Sequence, residues 1–259
     1  MWLVRSSFGC LGALFFYVLV LYVTSVTIAL GITSLTSGPP QVLLLLAYLC
    51  LVVLAVFCHL RVMLTDPGSL PRSSVSVEQA SMTRVCSVCL CVKARRAHHC
   101  STCGRCIMRM DHHCPWVNNC IGALNQKHFL LFLTYTALAA LCSLGILATR
   151  LGEALFGKGW DTADSGDRIQ VFLGVSAFAL SLMNSGFLCL MLVDQLGKIL
   201  SGSTGIERLQ QALVPYVSPT QRPSTERLYE VCGGKCSLKW LCPSAVPAPT
   251  PELSEHELL

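Results

Sequence analysis

Cysteine and histidine are concentrated between residues 86 and 120, where the chain has eight cysteines and four histidines. Both residue types are scarce in ordinary chains, so packing alone does not explain this density. Two kinds of chemistry use them together. A structural zinc ion is held by four such ligands in tetrahedral geometry. A catalytic thiol needs an imidazole to take its proton and a carboxylate to orient that imidazole.

The spacing of these residues indicates metal binding. Cys86-x-x-Cys89 and Cys100-x-x-Cys103 have gaps that allow both sulfurs to reach one metal, and Cys103-x-x-Cys106 repeats the gap. Two tetrahedral zinc ions need eight ligands, fewer than the stretch offers, so spacing alone does not identify the residues that stay unligated. The further candidates are His98, His99, His112, His113, Cys91, Cys114 and Cys120. A disulfide framework is the alternative.

The composition indicates a membrane protein. Of the 259 residues, 53% are hydrophobic and only 13% are charged, whereas about 25% are charged in a soluble domain. A helix of about 20 residues crosses a bilayer, and four apolar runs are long enough, at 8–28, 42–60, 129–149 and 171–193. The first run is too long for a signal peptide. Four spans place both termini on one side of the membrane.

Loop charges predict the orientation. Between the second and third spans, residues 61–127 include nine Lys or Arg against three acidic residues. The loop between the third and fourth spans has three basic and four acidic residues, and the loop between the first two has none. The cysteine-rich loop and both termini are therefore predicted to be cytosolic. The cytosol is reducing, which disfavours disulfides and keeps thiolates available for zinc and catalysis.

The stretch from Cys86 to Phe129 resembles the cysteine-rich domain of the DHHC protein S-acyltransferases, or palmitoyltransferases. The matching residues include Asp111-His112-His113-Cys114-Pro115-Trp116 and Asn119-Cys120-Ile121-Gly122. The resemblance implies two structural zinc ions, one on Cys86, Cys89, His99 and Cys106, the other on Cys100, Cys103, His113 and Cys120. It also implies that Asp111, His112 and Cys114 are catalytic.

These roles agree with elementary chemistry. A free thiol has a pKa near 8.5 and is a weak nucleophile at pH 7. His112 lies two residues from Cys114 and can take its proton, while Asp111 can hold the imidazole in the required tautomer. His113, as a zinc ligand, would be a poor base.

The resemblance also implies the substrates. Palmitoyl-CoA or another long-chain acyl-CoA is the expected donor, and an acyl-Cys114 intermediate passes the acyl group to cysteines of membrane proteins at the cytosolic face, in two ping-pong steps. Membrane lipid is a further expected partner, and nucleic acid is not. Lys93, Arg96 and His98 match positions that face the CoA phosphates in the family. The alternative is that these three belong to a solvated, positively charged loop.

The expected fold class is an α-helical polytopic membrane protein, with four transmembrane helices and a cytosolic two-zinc domain between helices 2 and 3. The first two helices occupy 8–64, after a cytosolic N-terminus at 1–7. A linker with an Asp-Pro-Gly motif follows at 65–84, and then the zinc domain, of short β-hairpins, at 85–127. Helices 3 and 4 occupy 128–194, followed by a cytosolic C-terminal region at 195–244 and a disordered tail at 245–259.

Several positions depart from the family pattern or interrupt a span. In Thr204-Gly205-Ile206-Glu207, which is similar to a motif of Golgi-resident members, Gly205 replaces a threonine that bonds the catalytic aspartate. Cys232 replaces an aromatic residue, and Arg227 replaces a common asparagine. Either this segment packs differently from the family, or lost apolar packing and an unpaired charge make the protein marginally stable. The further alternative is that Cys232, Cys236 and Cys242 are themselves acylated at the membrane. His59 is interpreted as an interfacial residue, and Asn184 as a functional polar group or an interhelical hydrogen bond.

Two other functional classes remain open at this point. A non-catalytic, membrane-anchored zinc-finger binding or scaffold protein would keep the eight ligands but would not need Asp111, His112 and Cys114. A transporter would need a polar pathway through the spans, for which Asn184 alone is thin support. The residues and the resemblance together favour an endomembrane or Golgi acyltransferase.

Overall fold

The computed structural model describes residues 4–32, 38–71, 85–93, 96–157, 165–213 and 223–243. Within these residues, four helices are long and apolar enough to cross a membrane. They are α1 (Ser7–Ile32), α2 (Pro39–Leu64), α3 (Gln126–Gly152) and α4 (Ser165–Ser201). Two groups of Cys and His lie between α2 and α3. The predicted fold class is therefore confirmed. Most of the predicted linker and all of the tail at 245–259 lie outside the described residues.

Each long helix extends beyond the apolar run that predicted it. Hydropathy marks only the part of a helix that suits the bilayer core, and backbone hydrogen bonding continues past it. Helix α2 begins at Pro39, because proline lacks an N–H that the first turn would leave unsatisfied. A single π-helical turn, Glu153–Gly157, follows α3.

The described part of the region between α2 and α3 contains two short hairpins, as predicted. Strands β1 (Ala97–Cys100) and β2 (Arg105–Met108) pair antiparallel, as do β3 (His112–Cys114) and β4 (Asn119–Ile121). After α4 come the short helices α5 (Gly205–Leu213) and α6 (Ser224–Cys232), and a 3₁₀ turn at Leu238–Leu241.

The chain divides into two compact units. One comprises residues 14–57 and 132–193 and consists of helix alone in its described residues. Its helices pack through apolar clusters and bond through hydroxyl pairs, such as Thr27 with Ser143 at 2.8 Å and Thr24 with Tyr48 at 3.0 Å. Polar pairs of this kind are common between membrane helices. Asn184 lines a cavity in this unit.

The other unit comprises 1–13, 58–131 and 194–259 and contains both hairpins. Asparagine side chains anchor its second hairpin. Asn118 donates to the carbonyl of Val4 at 2.9 Å, and Asn119 donates to the carbonyls of Val62 and Thr65, at 2.8 and 2.9 Å, at the end of α2. The last carbonyls of a helix have no partner within it, so Asn119 serves as a C-terminal cap.

The Asp-Pro-Gly segment joins α2 to the first hairpin. The Asp66 carboxylate accepts hydrogen bonds from the N–H groups of Gly68 and Ser69, at 2.9 and 2.7 Å, which forms a tight turn. The carbonyl of Gly68 then accepts from Met108 N–H at 2.8 Å. This segment therefore does more than end a helix, because it fixes strand β2 to the end of α2.

Candidate active site and metal centres

Hairpin pairing assembles both predicted metal centres. In β1–β2, His99 lies opposite Cys106, and in β3–β4, His113 lies opposite Cys120. Each of these cross-strand pairs lies beside the two cysteines of one Cys-x-x-Cys turn. The resulting groups are Cys86, Cys89, His99 and Cys106, and Cys100, Cys103, His113 and Cys120. Strand β1 contributes neighbouring residues to different centres, so the two centres are interleaved.

The geometry of both groups fits a tetrahedral zinc ion. In each group the ligand atoms lie within 4.8 Å of one another. Around Nδ1 of His113, the sulfurs of Cys100, Cys103 and Cys120 lie at 3.7, 3.5 and 3.6 Å. Zinc bonds of about 2.0–2.3 Å directed tetrahedrally require ligand separations of this size. The donor set, three thiolates and one imidazole, is typical of a structural zinc site.

Backbone N–H groups support the metal-ligating sulfurs. Cys89 N–H donates to Cys86 Sγ, and Cys103 N–H donates to Cys100 Sγ, both at 3.4 Å. Such outer contacts orient the ligands of a metal site. Cys91 is buried beside the first group but is not a member of it. The two groups could therefore each bind a metal ion with no contribution from Cys91 or Cys114.

The three predicted catalytic residues form a connected chain of contacts. Asp111 Oδ2 lies 2.7 Å from His112 Nδ1, and Cys114, two residues further along β3, interacts electrostatically with His112. Cys114 ends strand β3 and is buried. The ring of Phe129 packs edge-on against His112, with ring centroids 5.6 Å apart. This order of carboxylate, imidazole and thiol is the arrangement that activates a nucleophile.

Long-range contacts fix the Asp111 carboxylate, and sequence reasoning missed most of them. Oδ2 also accepts from Gln195 Nε2 at 3.0 Å and from Lys198 Nζ at 3.1 Å, both on α4, and Oδ1 accepts from Gly205 N–H. The peptide group of Gly205 thus supplies the hydrogen bond that the missing threonine put in doubt. A Cβ at Gly205 would lie 3.0 Å from Asp111 Oδ1 and 3.3 Å from Lys198 Nζ, so glycine makes room for the carboxylate and for the ammonium.

The surroundings of Asp111 and His112 favour the charged form of each side chain. Burial raises the pKa of Asp111, but the hydrogen bonds from His112 and Gln195 and the Lys198 ammonium outweigh it and hold this pKa well below its ordinary value. Burial lowers the pKa of His112, but the hydrogen bonds to Asp111 and Cys114 outweigh it and raise the pKa to about 9. His112 is therefore suited to keep a proton taken from a thiol.

A buried ion pair explains two further motif residues. The Arg96 guanidinium binds both carboxylate oxygens of Glu207, at 2.6 and 2.7 Å. Glu207 also accepts from Thr204 N–H at 2.8 Å, while Thr204 Oγ1 accepts from Glu207 N–H at 3.3 Å. The reciprocal pair is a capping box at the start of α5. The motif thus begins a helix and joins it to the segment before β1.

The three residues predicted to face CoA phosphates have different surroundings. Arg96 is only 7% exposed, and this geometry favours a structural role over contact with a phosphate group. Lys93 and His98 are half-buried. Burial lowers the pKa of His98, and the nearby charge of Lys93 lowers it further. Phosphate contact by any of the three stays a prediction.

The loop after Cys114 is supported from two helices. His59, at the end of α2, is fully buried, and its Nε2–H donates to the carbonyl of Trp116 at 3.0 Å. His59 belongs to neither metal group, and its position at the membrane interface stays a prediction. A Cβ at Gly12 of α1 would lie 2.6 Å from the carbonyl oxygen of Pro115, so only glycine permits this close approach.

The structure shows the surroundings of Arg227 and Cys232, the two C-terminal residues that depart from the family pattern. Arg227 donates to the carbonyl of Leu200 at 2.7 Å, in the last turn of α4. Arg227 is therefore not an unpaired charge, and a cation at a helix C-terminus is favourable. Cys232 is buried at the end of α6. The Lys127 ammonium donates to the carbonyl of Lys239 at 3.0 Å, which attaches the following segment to the start of α3.

Comparisons with known proteins agree with this site. Residues 79–212 match the family described as DHHC palmitoyltransferase. Palmitoyltransferase ZDHHC7 of Rattus norvegicus is 34% identical over 252 residues, covering 93% of this chain and 80% of that protein. Palmitoyltransferase ZDHHC3 of Homo sapiens is 32% identical over 256 residues, covering 95% and 84%. Probable protein S-acyltransferase 13 of Arabidopsis thaliana is 30% identical over 259 residues, covering 91% and 82%.

The four-helix fold with two Cys/His centres defines a class of membrane-embedded acyltransferases. The chain belongs to the DHHC palmitoyltransferase family, since the match includes more than half of its residues and extends to relatives along most of their length. It is therefore a protein S-palmitoyltransferase, and the scaffold and transporter alternatives are set aside.

Proposed function

We propose that the protein transfers a long-chain acyl group from acyl-CoA to cysteines of membrane-associated proteins through an acyl-Cys114 intermediate. The observation that carries the proposal is the contact chain Asp111–His112–Cys114, with 2.7 Å between the first two side chains. A thiol beside an imidazole fixed by a carboxylate is suited to attack a thioester carbonyl.

The chemistry would take two steps. In the first, His112 takes the Cys114 proton, the sulfur forms a bond to the acyl carbon, and the bond to the CoA sulfur breaks. His112 then protonates the departing CoA thiolate. In the second, a substrate cysteine loses its proton to His112 and attacks the acyl-enzyme. The Cys114 sulfur leaves and is protonated, so the enzyme is restored.

Two structural zinc ions would hold the hairpins that carry this site. Zinc contributes no redox chemistry here, and in a closed site of four protein ligands its role is structural. His113 and Cys120 lie on β3 and β4, on either side of Cys114. Their ligation would fix the strand on which His112 and Cys114 lie.

The helical unit offers a space suited to an acyl chain. A cavity in this unit is lined mainly by apolar side chains, together with Thr24, Thr136, Ser143, Ser181 and Asn184. Burying an acyl chain is worth about 0.8 kcal/mol per CH₂. We propose that long-chain acyl groups are preferred for this reason, and that Lys93 and His98 contact the phosphates of the CoA part.

The expected setting is the Golgi or another endomembrane, with both termini and the zinc domain in the cytosol. The basic loop between α2 and α3 supports this orientation through the positive-inside rule. Relatives named ZDHHC7 and ZDHHC3 are similar along most of this chain, and the sequence features shared with Golgi-resident members support the compartment.

The test is metabolic labelling with a clickable fatty acid. The wild-type protein should acquire a label that hydroxylamine removes, because hydroxylamine cleaves thioesters. Cys114→Ser should lose this label while retaining metal and expression. Cys91→Ser is the matched control, since it also removes a buried cysteine in the same domain. Equal labelling of Cys114→Ser and the wild type would contradict the proposal.

A further inference from the structure

A lysine on α4 contacts the carboxylate that holds the catalytic imidazole. We propose that Lys198 is a positioning residue for acyl transfer, acting through Asp111; this inference rests on the proposed function. Lys198 Nζ lies 3.1 Å from Asp111 Oδ2, the same oxygen that lies 2.7 Å from His112 Nδ1. Lys198 contacts neither Cys114 nor any reacting atom in the described contacts, so its effect would pass through Asp111.

The burial of the pair favours this role over a surface ion pair. The Asp111 side chain is 2% exposed and that of Lys198 is 12% exposed. A buried charge needs a partner, and a hydrogen bond from an ammonium is stronger than one from a neutral donor. Gln195 and Gly205 provide neutral donors to Asp111. Lys198 is the charged member of this set.

The ammonium is shared with a second carboxylate. Lys198 Nζ also lies 2.7 Å from Asp194 Oδ2, one turn earlier on α4, and Asp194 is 41% exposed. On its other side Asp194 faces the Arg208 guanidinium at 3.6 Å. If helix stability were the reason for Lys198, Asp194 would be its important partner. If positioning of the catalytic imidazole were the reason, Asp111 would be the important partner. Substitutions at Asp194 and at Lys198 can distinguish the two cases.

The residue at 205 adds an independent observation. A Cβ at Gly205 would lie 3.3 Å from Lys198 Nζ, which is tighter than ordinary van der Waals contact. The absence of a side chain there leaves space for the ammonium beside Asp111. Gly205 and Lys198 therefore form one arrangement, in which a peptide N–H and an ammonium hold opposite oxygens of the same carboxylate.

The test compares three substitutions in the full-length purified protein. Lys198→Met keeps the length of the side chain but removes the donor, Lys198→Arg keeps a charged donor, and Asp194→Asn removes the exposed partner. The rate of acyl-enzyme formation and the KM for palmitoyl-CoA are measured, together with zinc content and melting temperature.

We expect Lys198→Met to lower kcat by roughly tenfold to a hundredfold, because small misplacements of catalytic groups have effects of this size. KM and zinc content should stay near wild-type values, whereas the melting temperature should fall, because the buried Asp111 carboxylate loses one charged partner. Lys198→Arg should recover most of the rate, and Asp194→Asn should stay within about twofold of wild type. If Lys198→Met does not accumulate, Lys198→Gln replaces it, with the same expectation.

Two results would overturn the inference. One is a wild-type kcat in Lys198→Met or Lys198→Gln. The other is a loss in Asp194→Asn as large as that in the Lys198 variants, which would assign the effect to the α4 ion pair. A wild-type protein that forms no acyl-enzyme would instead contradict the proposed function, so the two failures are distinguishable.

Discussion

The metal centres and the Asp111 network are both clusters of polar side chains, but they are assembled over different distances along the chain. Each metal centre combines a Cys-x-x-Cys turn with one cross-strand pair, all between residues 86 and 120. Three donors to Asp111 come from Gln195 and Lys198, near the end of α4, and from Gly205, at the start of α5. The metal centres are therefore formed by residues close together in the sequence. The Asp111 network forms only when α4 and α5 pack against the second hairpin.

We therefore expect the metal centres to act mainly on stability and the Asp111 network to act mainly on the rate of catalysis. Metal ligation would replace the hydrophobic core that a domain this small cannot supply, so its loss should remove the fold. The Asp111 network holds a side chain that is already on a folded hairpin, so its loss should mainly change the rate. Substitutions in each cluster can separate stability from catalysis.

The largest effect is expected from a metal ligand. Cys103→Ser should prevent accumulation of folded protein, because structural zinc sites contribute about 10–16 kcal/mol to folding. Zinc per chain and the yield from detergent extracts measure this, with Cys91→Ser as the control that should keep two zinc ions. Folded, active Cys103→Ser protein would contradict the structural role of the centre.

The next effect compares adjacent histidines. His112→Ala should reduce the rate of acyl-enzyme formation by about 10²–10⁴, the usual contribution of a general base, and should retain both metal ions. His113→Ala should lose one metal ion and the fold, since Nδ1 of His113 lies among three sulfurs. Rate assays and zinc analysis on the same preparations distinguish the catalytic role of His112 from the metal-ligating role of His113. Similar zinc loss in both variants would show that the roles are not separate.

A smaller effect is expected from the buried ion pair. Removing one partner of such a pair costs about 3–5 kcal/mol, so Glu207→Gln should lower the melting temperature clearly. Glu230→Gln is the matched control, because the Arg109–Glu230 pair is longer, at 3.4 Å, and more exposed. The Glu230→Gln substitution should lower the free energy of unfolding by no more than about 1 kcal/mol. Equal losses in the two variants would contradict the assignment.

The same pair predicts a pH dependence. Burial raises the pKa of Glu207, but the Arg96 guanidinium outweighs it, so this pKa is lowered from its ordinary value of 4.5. A lowered pKa means that the unfolded chain binds the proton more readily. The stabilisation is therefore fully present above pH 4.5 and is lost as pH falls through the lower folded value. Glu207→Gln should flatten the stability profile in this acidic range, as measured by thermal unfolding.

Sequence patterns predicted what depends on local spacing and composition. The four helices followed from apolar runs, and the grouping of metal ligands followed from Cys-x-x-Cys gaps and a resemblance to a known family. Charges were less informative, since their sign does not identify their partners. The positive charge of Arg96 did not indicate its contact with Glu207, and that of Arg227 did not indicate its hydrogen bond to the carbonyl of Leu200. Gln195 and Lys198 carried no local signal, because their contact with Asp111 spans more than eighty residues.

The central claim is that Cys114 carries the acyl group between donor and acceptor. The most direct measurement is the release of CoA from palmitoyl-CoA by purified protein without any acceptor, on a time scale faster than hydrolysis. A rapid burst of about one CoA per chain is predicted for a covalent intermediate, with no burst from Cys114→Ser that still contains two zinc ions. A burst of equal size from Cys114→Ser, or none from the wild type while acceptor-dependent transfer proceeds, would contradict the account.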